Sequence, residues 1–152
     1  MIRRGSIADL NDICMIENKS FDDHYPRFLL AELLRMCPAF FVAVDVESRV
    51  IGYCVASVRG DEAHLISIAV MQTRRRSGIA RVLVGYLTKF LSSRNVKTLF
   101  LEVRVKNSGA IRLYSDLGFR PIRVIARYYS DGASALKMRI ALTSVDSAAG
   151  FR

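Results

Sequence analysis

Ile68-Ala-Val-Met-Gln-Thr-Arg-Arg-Arg-Ser-Gly-Ile-Ala-Arg81 is the stretch on which the fold turns. Its first three residues close an apolar run, about Ala63 to Val70, that reads as a strand. A basic loop follows. After Gly78 the apolar residues Ile79, Val82, Leu83, Tyr86, Leu87, Phe90 and Leu91 recur every three or four positions. That stripe predicts a helix to about Arg94 with one face buried. A helix that starts behind a loop offers unpaired N–H groups and a partial positive charge, which suits an anion. Gly78 and Ala80 keep side chains away, so a phosphate can approach the backbone. Arg74, Arg75, Arg76 and Arg81 add charge around it. No Gly-Lys-Ser/Thr follows and no three spaced glycines precede, which excludes the Walker loop and the dinucleotide fingerprint.

Outward from this segment the elements fall into a mixed pattern. Met1 to Arg4 suggests a first strand. Ser6 and Asp9 form a capping-box pattern before Leu10, Ile13 and Ile16 or Glu17 at helical spacing. Pro26 suits the first turn of a second helix through Leu29, Leu30, Leu33 and Leu34. Phe40 to Val46 and Val50 to Arg59 read as a hairpin turning at Glu47 to Arg49. Beyond the long helix, Thr98 to Val105 alternates, with Leu99, Leu101, Val103 and Val105 opposed to Phe100, Glu102 and Arg104. Asn107 can cap a helix that Gly118 stops. Two strands, about Phe119 to Tyr128 and Ala135 to Leu142, finish the chain around Asp131-Gly132. The order β-α-α-β-β-β-α-β-α-β-β predicts an α/β or α+β sheet with helices on its faces.

The chain has 152 residues, 51% of them hydrophobic, enough for one domain with its own core over 1–142. Residues 143–152 read as a loose tail. No apolar run is long enough to span a membrane, and the start carries no signal-peptide pattern, so a cytoplasmic protein is expected. Cys14, Cys37 and Cys54 are odd in number and widely spaced, which predicts reduced thiols. Two distant histidines give no metal spacing, so no metal is expected. The net charge of +9 implies anionic partners such as a polyphosphate, nucleic acid or a ribosome surface.

Arg75-Arg76-Ser77-Gly78-Ile79-Ala80 matches the R/Q-x-x-G-x-G/A motif of the GNAT acetyltransferases. Ser67 to Val70, and Asn107-Ser-Gly-Ala-Ile-Arg-Leu-Tyr114 through Phe119, match two further blocks of that family in the same order. Leu101-Glu-Val-Arg-Val-Lys-Asn107, Arg127-Tyr-Tyr-Ser-Asp-Gly132 and His24-Tyr-Pro26 resemble the RimI and archaeal NatA-type branches. The resemblance implies the GNAT fold, a mixed sheet of about seven strands with about four helices. It implies an acetyl-CoA-dependent acyltransferase acting on protein or peptide N-termini, ribosomal proteins included, with the ribosome as a further partner. It also implies cofactor contacts at Ile68, Ala69, Val70, Arg75, Arg76, Ser77, Gly78, Ile79, Ala80, Arg81, Asn107 and Tyr114.

An amine that attacks a thioester must lose a proton, the oxyanion must be held, and the leaving thiolate needs a proton. An α-amine is about a tenth deprotonated at pH 7, so a modest base suffices. Glu32, His64 and Glu102 are the base candidates that the resemblance implies, and the residues leave the choice open. Tyr114 stands where the family places a general acid. Tyr25, Glu32, Tyr128 and Tyr129 stand where it binds the acceptor. Two alternatives remain: an acetyltransferase for lysine side chains or a small amine, and a non-enzymatic RNA- or ribosome-binding module, which would show salt-sensitive RNA binding.

Overall fold

The structure, a computed structural model, describes residues 1–142. The expected tail at 143–152 lies outside them. In chain order the elements are β1 (Ile2–Arg4), α1 (Leu10–Ser20), α2 (Arg27–Met36), β2 (Ala39–Val44), β3 (Val50–Arg59), β4 (Glu62–Val70), α3 (Ile79–Ser93), β5 (Thr98–Arg104), α4 (Ser108–Asp116), β6 (Arg120–Ile125) and β7 (Ala135–Ala141). Single 3-10 turns, Ile7–Asp9 and Gln72–Arg74, precede α1 and α3. The strands pair in the order β1-β2-β3-β4-β5-β7-β6. β4 and β5 run parallel, while the β1–β2, β2–β3, β5–β7 and β6–β7 pairs are antiparallel. The expected element order and the mixed seven-stranded sheet are both present.

The chain divides into two compact units. One comprises Met1–Ser57 and Ile66–Phe90, the other Val58–Leu65 and the residues from Leu91 onward. β3 and β4 contribute to both. In the first unit β2 is buried along its whole length. Phe40, Val42 and Val44 join a core with Leu10, Ile13, Ile16, Leu30 and Leu34. Phe41 meets Tyr86 and Phe90 edge-on at 4.9 and 5.1 Å. Gly52 lets α3 lie close on β3, since an added Cβ there would stand 3.2 Å from the Ala69 carbonyl and 3.3 Å from Ile79. In the second unit β5 alternates as expected, with Leu99, Leu101 and Val103 buried. Leu101 pairs with Met138, which is fully buried.

Two boundaries differ from the sequence reading. Pro26 is the extended residue before α2, not its first turn, because its φ is helical but its ψ of 157° is not. β6 ends at Ile125 rather than Tyr128. Arg127 has a φ of +52°, which breaks the extended run, and a loop follows in which the Gly132 amide bonds the Tyr129 carbonyl. Glu17, which shares the apolar stripe of α1, is 1% exposed. Its carboxylate accepts from Ser67 Oγ at 3.1 Å, from the Tyr25 amide at 2.9 Å and from the Tyr53 hydroxyl. Burial and the Glu17 charge push the Tyr53 phenol far up, so it remains a donor.

Removal of that carboxylate leaves the Tyr25 amide without its acceptor and the Tyr53 and Ser67 hydroxyls with only each other, 3.0 Å apart, and a buried orphan costs about 1–3 kcal/mol. Glu17→Leu is therefore expected to lower stability by about 3 kcal/mol, read as a shifted urea midpoint at unchanged slope. Equal midpoints would show that the network contributes nothing.

Candidate active site

The turn from β4 into α3 is open. Gly78 has a φ of +84°, a conformation that side chains resist, and a Cβ built on it meets nothing within 4 Å. The Gly78 carbonyl accepts from Val82, so α3 begins directly after it. Among the described residues the amides from Arg76 to Ala80 have no backbone acceptor. Unpaired amides at the start of a helix make a cradle of the kind that suits an anion.

The arginines divide their work. Arg74 pairs with Asp45 at 3.1 Å. Arg75, expected among the cofactor contacts, bonds the Val70 carbonyl and Ser20 Oγ, each at 3.0 Å, and its amide lies 3.4 Å from the Gln72 carbonyl. Its guanidinium braces the loop. Arg76, at a φ of +65°, and Arg81 are exposed at the cradle. Ser77 turns its hydroxyl onto the Arg74 carbonyl. Ile68, Ala69 and Val70 end β4, half-buried to buried, immediately before the turn.

In the second unit a polar cluster forms on one face of β4 and β5. Their parallel ladder joins Glu62, Ala63 and His64 to Thr98, Leu99 and Phe100. His64 Nε2 lies 2.5 Å from Glu102 Oε1, and the Tyr128 hydroxyl donates to the same oxygen at 3.2 Å. The imidazole is 43% exposed while the carboxylate is 11% exposed, so the ring is the accessible partner. Burial raises the Glu102 carboxyl. The hydrogen bond and charge of His64, the Tyr128 bond and the Lys137 charge outweigh it and hold the group below the ordinary carboxylate range.

The other expected residues occupy defined places. Asn107 caps α4 through Ala110 N at 3.1 Å. Tyr114 is buried, edge-on to Phe119 with centroids 5.7 Å apart. Tyr25 has its hydroxyl 3.5 Å from the Ile66 carbonyl. Glu32 is ion-paired one turn along α2 with Arg35 at 3.0 Å. Tyr129 lies under the Arg104 guanidinium, 4.1 Å from its ring centroid, and meets Tyr128 edge-on. Arg104 also holds Asp131 at 2.9 Å. Glu102 thus pairs with His64, and Arg104 with Asp131. Sequence reading missed the bracing role of Arg75, the Arg104 clamp on the tyrosine loop and the Glu17 network. An acid on the apolar stripe of α1 was the one available sign of the last.

The profile of the acetyltransferase (GNAT) family matches residues 7–119. An N-alpha-acetyltransferase of Sulfurisphaera tokodaii is 32% identical over 150 residues, covering 90% of each chain. The solved structure of Ard1 from Thermoplasma volcanium superposes with a TM-score of 0.90 at 30% identity, over 95% of this chain and 98% of that one. The ribosomal-protein-S18-alanine N-acetyltransferase of Escherichia coli superposes with a TM-score of 0.86 at 29% identity, over 94% of each. Among the described residues no group of His, Cys, Asp and Glu could hold a metal ion, and no helix is long and apolar enough to cross a membrane.

A carboxyl whose folded pKa is depressed stabilises the fold above its unfolded value and ceases to as pH falls through the folded one. Near pH 6 the protein should melt above its Glu102→Gln variant. The gap should close on acidification below about 4.5, the ordinary value for this group. Thermal melts across pH check this, and a gap that widens in acid contradicts the assignment.

Proposed function

The chain belongs to the acetyltransferase (GNAT) family, and from that premise we propose that it acetylates the α-amine at the N-terminus of proteins. Acetyl-CoA supplies the activated acyl group as a thioester. The N-alpha-acetyltransferase of S. tokodaii, aligned over nine-tenths of each chain, supports an N-terminal amine over a lysine. The S18-alanine enzyme of E. coli supports ribosomal proteins as acceptors and the ribosome as a meeting place. Three free thiols suit a reducing cytoplasm. Residues 1–142 work as one acetyltransferase domain in this reading.

The observation that carries the mechanism is the His64–Glu102 contact. A neutral imidazole has one donor nitrogen and one acceptor. Held by Nε2 on a carboxylate, His64 carries its proton there and presents Nδ1 as the acceptor. Glu102 is thus the orienting group and His64 the base that takes the amine proton, an arrangement of the kind found in hydrolase triads. Tyr128 donates to the same Glu102 oxygen and helps to fix it. In this reading Tyr129, under the Arg104 guanidinium, holds the acceptor's backbone, and the family resemblance assigns Tyr25 and Glu32 to the acceptor as well. The amides of Arg76 to Ala80 hold the pyrophosphate, with charge from Arg76 and Arg81. Amides at Ile68 to Val70 polarise the carbonyl, Asn107 contacts the cofactor, and Tyr114 protonates the departing sulfur.

His64→Ala should lower kcat/KM for a peptide at pH 7 by about a hundredfold, within the range of general-base catalysis. The deficit should shrink above about pH 8, where the α-amine loses its proton unaided. A variant as fast as the parent at pH 7 removes this role. Gly78→Val, which strains a positive φ and fills the cradle, should weaken CoA binding tenfold or more by calorimetry; unchanged affinity would remove the phosphate assignment. Incubation with acetyl-CoA, short peptides of varied first residue and an N-terminally blocked lysine peptide, read by mass spectrometry, tests the acceptor. Acetyl found only on the lysine side chain overturns the N-terminal reading.

A further inference from the structure

One face of β5, β7 and β6 carries both Glu102 and a row of cations. The registers require it. Glu102 lies opposite Lys137, and Lys137 opposite Arg123; Phe100 lies opposite Arg139, and Arg139 opposite Arg120. Directly paired residues share a face, and His64 joins them through its pairing with Phe100. Lys137 rests over the Phe100 ring, Nζ 4.9 Å from its centroid, and acts on Glu102. Arg120, Arg123 and Arg139 are exposed. Among the described residues no carboxylate lies within ion-pair distance of any of the three.

Like charges directly opposite one another in a sheet repel. Here that happens twice in succession, Arg120 against Arg139 and Arg123 against Lys137. The surplus is concentrated as well. Residues 91–142 hold ten lysines and arginines against three acids, most of the net +9 of the chain.

We infer that this row reads acidic side chains a few residues downstream of the acceptor's N-terminus. The inference rests on the reading that the α-amine is deprotonated at His64. Neighbouring strands are about 4.8 Å apart, so Lys137 lies one spacing and Arg123 two spacings across the sheet from Glu102. An extended peptide advances about 3.3 Å per residue, so its third to fifth residues span that distance from the amine. Carboxylates there meet the unneutralised guanidinium groups, and a basic acceptor meets repulsion. A phosphate chain could also follow such a row. The cations share the face of the amine's base, and that placement favours the peptide.

Two peptides decide it, alike except for Asp and Glu or Asn and Gln at positions 3 to 5. The protein should acetylate the acidic one with a kcat/KM about three- to tenfold higher, carried by KM, the range of one or two exposed ion pairs. High salt should remove the preference. Arg123→Gln with Arg139→Gln, which relieves the cross-strand repulsion and so preserves folding, should abolish it, and the matching Glu pair should invert it. Equal rates for the two peptides, or a preference that survives in the variants, overturns the inference. So does salt-sensitive binding of poly(U) RNA, lost in the variants, without any peptide preference. If neither peptide is acetylated, the α-amine reading fails. Anisotropy of the two labelled peptides then still decides this inference, with equal affinities against it.

Discussion

A carboxylate buried away from any cation has to be met by donors on every side, and Glu17 is such a group. Its three donors come from β3, from β4 and from the connection between α1 and α2. Because the penalty for an unmet donor or acceptor in the core is large, the three segments are held in one arrangement. Ser67 is the β4 residue bound in this way, and β4 carries the chain on to Val70 and the open turn. The same helix acts a second time at its end, where Ser20 and the Val70 carbonyl take the two ends of Arg75. α1 therefore anchors both the strand and the loop that follows it. A cradle of amides binds an anion well only if it is preorganised, and these polar ties supply the rigidity that a loop with a positive φ at both Arg76 and Gly78 lacks by itself.

The triple arginine shows why charge counted along a sequence overstates charge at a site. Two of the three guanidinium groups are spent on the protein, one on Asp45 and one on the end of β4. What faces the opening is mostly backbone. This agrees with the physics of phosphate sites at helix starts, where oriented N–H groups supply much of the attraction.

Local periodicity carried most of the fold. The helix of α3 and the alternation of β5 need only neighbours in the chain to be read, and both are present, although Val82 and Tyr86 of the expected stripe are exposed and Val84 is buried beside Leu83, Leu87 and Leu91. The Asn107 cap and the Gly118 stop are likewise local, the glycine with a φ of +105°. The polar partners were not legible, because they join residues far apart in the chain. His64 and Glu102 are 38 positions apart, Glu17 and Ser67 are 50 apart, and Arg104 and Asp131 are 27 apart. Spacing cannot show which acid a base will meet across a sheet. It left three base candidates equivalent, and only the register of β4 on β5 brings His64 to Glu102.

The depressed pKa of Glu102 bears on which of those candidates can work. Moving a proton from an α-amine to a carboxyl held below the ordinary carboxylate range is strongly uphill. The bonds that hold Glu102 ionised make it a worse acceptor still. They also make it a better electrostatic partner, because a carboxylate that stays charged can stabilise a cation forming beside it. A proton taken by His64 would instead lie against that charged carboxylate, 2.5 Å away. Glu32 has the exposed Arg35 beside it, at 3.0 Å. The acidity of Glu102 is thus an argument for its neighbour. In the proposed reading the ring takes the proton and the carboxylate sets which nitrogen receives it.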